Sequence, residues 1–253
     1  MEWWAAWDGT PERDLASEEV LLSVAAERGR PLLFAYGWKR PVLVLGFGQD
    51  SSEVDLAACR NRSVTVVRRC SGGAGVLYTG DLALSLALPV EHPWARSIGG
   101  LYDGFVTALK QGVEDLGVHP ERGQGIPQPG RRSPICFEDH LAETLLWKGK
   151  KVLGCAQTRR QDAVLVHGAL LLGVDAELQA AVYGVTRERI EAILGALPRE
   201  RYDSREALAV HLARSLSDAL GLSTLPPGPA PPLPTEWVDR LHDPKWVVVG
   251  SKE

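Results

Sequence analysis

No stretch of this sequence approaches the ~18 consecutive apolar residues of a membrane-crossing helix, so no membrane span is expected. The first residues, MEWWAAWDGTPERD, lack a basic segment followed by an apolar run, which gives no sign of a secretory signal. Cysteine is sparse: Cys59, Cys70, Cys136 and Cys155 form no C-x-x-C pair, and no Cys/His group has zinc-ligand spacing. These absences point to a cytoplasmic protein with reduced thiols and no metal site. A basic excess is also missing. The formal net charge of −4 argues against a nucleic-acid partner, since phosphate binding rewards a basic surface. No internal repeat is visible, and no G-x-x-x-x-G-K-[ST] phosphate loop occurs.

What is present suits one large domain. A chain of 253 residues, 45% hydrophobic and 24% charged, can bury roughly 70–75% of its unfolded surface without help from disulfides. Asp14 reads as the cap of a helix over LASEEVLLSVAAER, with Gly29 as its stop. PLLFAYGW, PVLVLGFG and SVTVVRR read as strands, with a short helix at Val54–Arg60. In DLALSLALP, Leu82, Leu84, Leu86 and Leu88 alternate with small residues, so one strand face is large and the other can receive a close-packed helix or a ligand chain. Helical spacing runs from Ile98 to Leu116, with Ile98, Leu101, Tyr102 and Phe105 on the apolar side. A Pro-, Gly- and Arg-rich loop over 119–134 follows, of the length that in compact domains is often functional.

ETLLW, Lys148-Gly149 and KKVLG read as a hairpin, which AVLVHGALLLG extends past Gln161-Asp162. Helices then cover Asp175–Tyr183, Thr186–Leu197 and Asp203–Leu220, the last opened by an Asp203-x-x-Glu206 capping box. The expected fold class is α+β, a mixed and largely antiparallel sheet flanked by helices. Residues 1–225 read as one domain. Residues 226–253 read as a proline-rich linker, PPGPAPPLP, and a tail whose VVVG forms an arm laid back on the domain.

Three segments carry chemistry. In RRCSGGAGVLY, Gly72, Gly73 and Gly75 let the backbone approach a ligand closely; taken alone, the segment reads equally as a glycine-rich turn. Cys136, in Ser133-Pro134-Ile135-Cys136-Phe137-Glu138, emerges from the irregular loop, where Arg131 and Arg132 would favour its thiolate. Free cysteines are also common small core hydrophobes, and both readings stand for an isolated thiol. In GKKVLGCAQ, strand alternation sends Lys150 and Lys151 to opposite faces, so one of them faces inward. Such a lysine can lower a thiol's pKa or stabilise an oxyanion. His167, in the apolar strand VLVHGALLL, reads by type as a hydrogen-bonded core histidine or a site residue.

Taken together, RRCSGGAGVLY, GKKVLGCAQTRR, VLVHGALLL and the Gly46-x-x-Gln49 strand end resemble the biotin/lipoate protein ligase superfamily, in its lipoate-attachment branch, from about Leu15 to Arg214. The resemblance implies a mixed sheet backed by helices with an acyl tunnel beside the glycine-rich segment. It makes Lys151 the lysine of the K-x-x-G-[SN]-A motif. ICFE, with Cys136 15 residues ahead of Lys151, looks like the Cys-Phe segment of the cysteine-dependent octanoyltransferases. The tail after the proline linker is expected to be too short for the accessory C-terminal domain that ATP-dependent lipoate ligases usually carry.

The implied catalytic pair is Cys136 and Lys151. Implied substrate contacts are Arg69, Ser71, Gly72, Gly73, Gly75, Gly154, Ala156, His167 and Gly168. The implied reaction passes an octanoyl or lipoyl group from acyl-carrier protein to Cys136, then to a lysine of a lipoyl domain or glycine-cleavage H protein. It requires no metal and no ATP. An ATP-dependent ligase, an amidotransferase between lipoyl-bearing proteins and a non-catalytic acyl-binding relative are the alternatives. Cys155 stands where the family has Ser or Asn and is a rival nucleophile. Ala74 and Tyr78 depart from the family pattern, Tyr78 replacing a usual histidine.

Overall fold

The computed structural model describes residues 1–125 and 143–250. Eleven strands form two sheets among them: β1 (Glu2–Ala6), β2 (Leu32–Tyr36), β3 (Val42–Leu45), β4 (Thr65–Arg68), β5 (Val76–Tyr78), β6 (Leu82–Pro89), β7 (Glu121–Arg122), β8 (Leu145–Trp147), β9 (Lys150–Arg159), β10 (Ala163–Leu170) and β11 (Val247–Val249). The larger sheet has the order β1-β2-β6-β10-β9-β8-β7, and the smaller β11-β4-β3-β5. Pairing is antiparallel except between β1 and β2 and between β3 and β4. This is the α+β class expected from alternation and hairpin spacing.

The leucines of β6 decide the layering. Leu82, Leu84, Leu86 and Leu88 enter a core shared with Leu101, Phe105 and Val106 of α3 (Ile98–Asp115) and Leu208, Leu212 and Leu216 of α6 (Arg205–Ala219). The small face of β6 meets α1 (Pro11–Arg28), which packs across β2, β6 and β10. The smaller sheet and α4 (Ala176–Tyr183) share this second core. Lys148 and Gly149 both adopt positive φ, the conformation of a two-residue hairpin turn.

Three local expectations are corrected. Helix α1 begins at Pro11, capped by Thr10, whose hydroxyl accepts from the Arg13 N–H; Pro suits the first turn because its missing donor is not needed there. Asp14 is therefore inside the helix. Helix α6 is capped by Ser204 rather than Asp203. Ile98 is 60% exposed because it opens α3, before the helix has settled onto the sheet. The tail does return to the domain: β11 pairs with β4, and Gly228 of the linker exchanges backbone hydrogen bonds with Trp3 and Ala5 of the edge strand β1.

Asp14 is buried beside Trp38, whose indole N–H donates to its Oδ2 at 2.9 Å. Burial pushes its carboxyl from 3.8 up to about 7. The protonated form therefore stabilises the fold fully below about pH 4, and this contribution disappears as the pH rises through about 7. The loss is on the order of 4 kcal/mol for a shift of this size. Urea midpoints are expected to fall between pH 5 and 8, and Asp14→Asn, which keeps an acceptor for Trp38, is expected to flatten most of that slope. An unchanged slope would place the titrating group elsewhere.

Candidate active site

The glycine-rich segment between β4 and β5 is held from within by Arg69. Its guanidinium donates to Ser71 Oγ at 2.9 Å and to the carbonyls of Val44, Gly72 and Ala74 at 3.1, 2.7 and 3.0 Å. Arg69 is buried, and these donors face its own loop and the adjoining strand β3, so it shapes the segment. Gly73 has φ +95°, which only glycine adopts without strain. Below the segment, Gly46 lies so close that a Cβ there would stand 1.9 Å from the Gly73 carbonyl oxygen, and the Phe47 N–H donates to the Ser71 carbonyl. Gln49 Oε1 accepts from the Gly46 N–H. The Tyr183 hydroxyl of α4 donates to the Gly75 carbonyl. Gly72 and Gly73 remain exposed, presenting backbone to solvent beside the buried Ser71.

Ser71 connects this segment to the large sheet. Its Oγ lies 2.8 Å from His167 Nε2, and His167 Nδ1 lies 3.0 Å from Glu18 Oε1. Glu18 is fully buried on α1 and also accepts from the hydroxyls of Tyr36 at 2.8 Å and Ser85 at 2.5 Å. Burial alone would push the Glu18 carboxyl up. The adjacent His167 ring and the hydrogen bonds from His167, Ser85 and Tyr36 outweigh it and hold the group below its ordinary value, so Glu18 is a carboxylate. Tyr36 is pushed up by burial and by Glu18, and so remains a donor.

Glu18, Tyr36 and Ser85 escaped the sequence reading. A signal existed: Asp14, Glu18, Leu21 and Ala25 recur at helical spacing, a buried stripe containing two carboxylates. Ser85 is likewise the one polar residue on the small face of β6.

Lys151 reaches this face through a bulge. The register of β9 against β8 shifts opposite Leu145–Leu146, and Val152 and Leu153 both enter the α3–α6 core. Alternation therefore places Lys151 on the opposite side, the face that carries Gly154, Ala156 and His167. Lys151 is 2% exposed, whereas Lys150 is partly exposed. Ala156 is the register partner of His167, and Gly154 that of Ala169.

Cys155 falls on the other face, packed against the α3–α6 core. The Cβ side of Gly168 points the same way, toward Leu153 Cδ1, Phe105 Cε1 and Cys155 Sγ at 3.0, 3.1 and 3.5 Å. This sheet therefore separates Cys155 from Lys151, which removes the rival nucleophile's proximity argument, and gives Gly168 a packing role. Cys59 and Cys70 are buried, and burial pushes the Cys59 thiol up to about 11. Cys136 lies outside the described residues. Tyr78 stands edge-on to Trp38, ring centres 5.1 Å apart.

A protein-family description, the lipoyl protein ligase A/B catalytic domain, matches residues 10–210. The chain belongs to this family. Octanoyltransferase LipM of Carboxydothermus hydrogenoformans is 36% identical over 169 residues, covering 65% of this chain and 62% of that protein, less than two thirds of its length. Octanoyltransferase LipM of Macrococcus caseolyticus is 30% identical over 190 residues, 72% of this chain and 69% of that protein. A crystal structure of lipoate-protein ligase A bound with ATP superimposes with a TM-score of 0.76 at 20% identity, over 96% of this chain and 93% of that one, which supports the shared fold. Among the described residues no helix is long and apolar enough to cross a membrane, and no group of three or more His, Cys, Asp or Glu could hold a metal ion.

Proposed function

We propose that the chain is a protein acyltransferase that carries an octanoyl group on Cys136 and delivers it to a lysine of a lipoyl domain or glycine-cleavage H protein. One observation carries this reading: relatives named octanoyltransferases match 65% and 72% of the chain, and residues 10–210, which match the family, bring Lys151 and His167 onto one sheet face with Ser71 and an exposed glycine backbone beside His167. Thiolate Cys136 attacks the thioester of an acyl-carrier protein, and the carrier thiol leaves. The acceptor amine then attacks acyl-Cys136 and expels the thiolate. Lys151 favours the thiolate, and N–H groups of the Ser71–Gly75 segment steady the oxyanion, a reading supported by the burial of Lys151 and the exposed backbone of Gly72 and Gly73. The thioester is already activated, so neither ATP nor a metal enters the scheme.

Mixing the protein with octanoyl-carrier protein is expected to give one octanoyl adduct by mass spectrometry, absent in Cys136→Ser. Modification of a lipoyl domain that requires lipoate and ATP and survives Cys136→Ser would instead establish a ligase. Comparing octanoyl-carrier protein with octanoyl-H protein as donors identifies the physiological one.

A further inference from the structure

The chain Arg69–Ser71–His167–Glu18 has a direction. A carboxylate only accepts, so the His167 Nδ1–H donates to Glu18; whenever the ring is neutral, Nε2 is then its acceptor. Ser71 Oγ accepts from the Arg69 Nε–H, which frees its own proton for His167 Nε2. Glu18 is in turn oriented by the Tyr36 and Ser85 hydroxyls, so carboxylate and imidazole are fixed together on α1 and β10, braced from β2 and β6. His167 keeps a small exposed edge while Glu18 has none. A carboxylate without solvent access, spent on orienting one imidazole, is more than core packing requires, because an apolar residue could fill that space.

We propose that Glu18 is a positioning residue that holds His167 as the Nδ1–H tautomer, so that His167 Nε2, through Ser71, accepts the proton released in acyl transfer to the amine. The proposal rests on the acyl-transfer reading above. The step balances: the N–C bond forms between a neutral acceptor amine and the thioester carbonyl, and the amine's proton passes to Ser71 Oγ as the Ser71 proton passes to Nε2. The C–S bond then breaks with its electron pair on sulfur. The products are amide, thiolate and imidazolium, and the imidazolium returns its proton to the thiolate or to water.

Glu18→Gln is the test, because it keeps the shape and removes the charge. Its amide oxygen can take the place of Oε1 and still accept from the Nδ1–H, so what the variant removes is the charge that stabilises the imidazolium formed during transfer. Long-range ¹H–¹⁵N correlation spectra of the wild-type protein are expected to show His167 protonated at Nδ1; protonation at Nε2 would overturn the proposal whatever the variant does. In Glu18→Gln, acyl-adduct formation from octanoyl-carrier protein is expected at the wild-type rate. Transfer from that adduct to a lipoyl domain is expected to slow by about 10²–10⁴-fold, the usual weight of a general base. An adduct that forms and transfers at the wild-type rate overturns the proposal. Absence of any adduct in the wild-type protein refutes the acyl-transfer reading instead, and the tautomer measurement then still decides the role of Glu18.

Discussion

Gly46→Ala is expected to reduce acyl transfer at least ~100-fold while leaving a folded protein. The new Cβ would stand 1.9 Å from the Gly73 carbonyl oxygen and 2.9 Å from its carbon. Both are backbone atoms, so no rotamer change relieves the overlap; the glycine-rich segment must move by more than 1 Å. That segment carries Ser71, which is tied by its carbonyl to the Phe47 N–H and by its hydroxyl to His167. Misplacing reacting groups by about 1 Å can cost ~10² in rate. Overpacking of this kind costs about 1–3 kcal/mol, which in a chain of this size lowers the melting temperature by about 2–12 °C. Gly48→Ala is the control: a Cβ there meets nothing within 4 Å, and both rate and melting temperature should match the wild type. Full activity in Gly46→Ala would mean that the segment's position does not matter to the chemistry.

Lys151→Met is expected to lower turnover by about 10²–10³-fold, the range seen when one preorganised electrostatic donor is removed. Lys151 is 2% exposed and is followed by Val152 and Leu153 of the apolar α3–α6 core, so a methionine fills its volume. Removing one member of a buried polar contact leaves its partner unsatisfied at a cost of about 1–3 kcal/mol, so the melting temperature should fall by several degrees while the protein stays folded and activity falls much further. Alkylation of Cys136 at pH 7 should slow in parallel, because the thiol loses the charge that favours its thiolate. If alkylation keeps its wild-type dependence on pH, Lys151 acts on the oxyanion or on substrate rather than on the thiol.

Much of this architecture is legible along the chain because it is written in local chemistry. The alternation of LALSLALP sorted leucines from small residues, and the two core clusters follow that division. Lys148-Gly149 forms a turn because two successive positive φ values are needed there and these residues adopt them. The four family motifs could be recognised without coordinates, and residues 10–210 match the family. The helix starts were harder. Thr10 and Ser204 outcompete Asp14 and Asp203 because a cap is chosen by where the chain turns into the helix, and residues of equal capping propensity lay close by.

Side-chain partners far apart in the chain were not legible in this way. Alternation required one of Lys150 and Lys151 to face inward but could not choose between them. A one-residue bulge at Val152, where β9 pairs with β8, puts Lys151 on the sheet face that carries His167 and leaves Cys155 on the other. Glu18 lies 149 residues from His167, and nothing in either neighbourhood names the other. Residue order was enough for elements and motifs, because period, turn type and glycine tolerance are properties of a few consecutive residues. The Ser71–His167–Glu18 chain required the packed fold, because only long-range register and the exclusion of water make a buried carboxylate find its single imidazole.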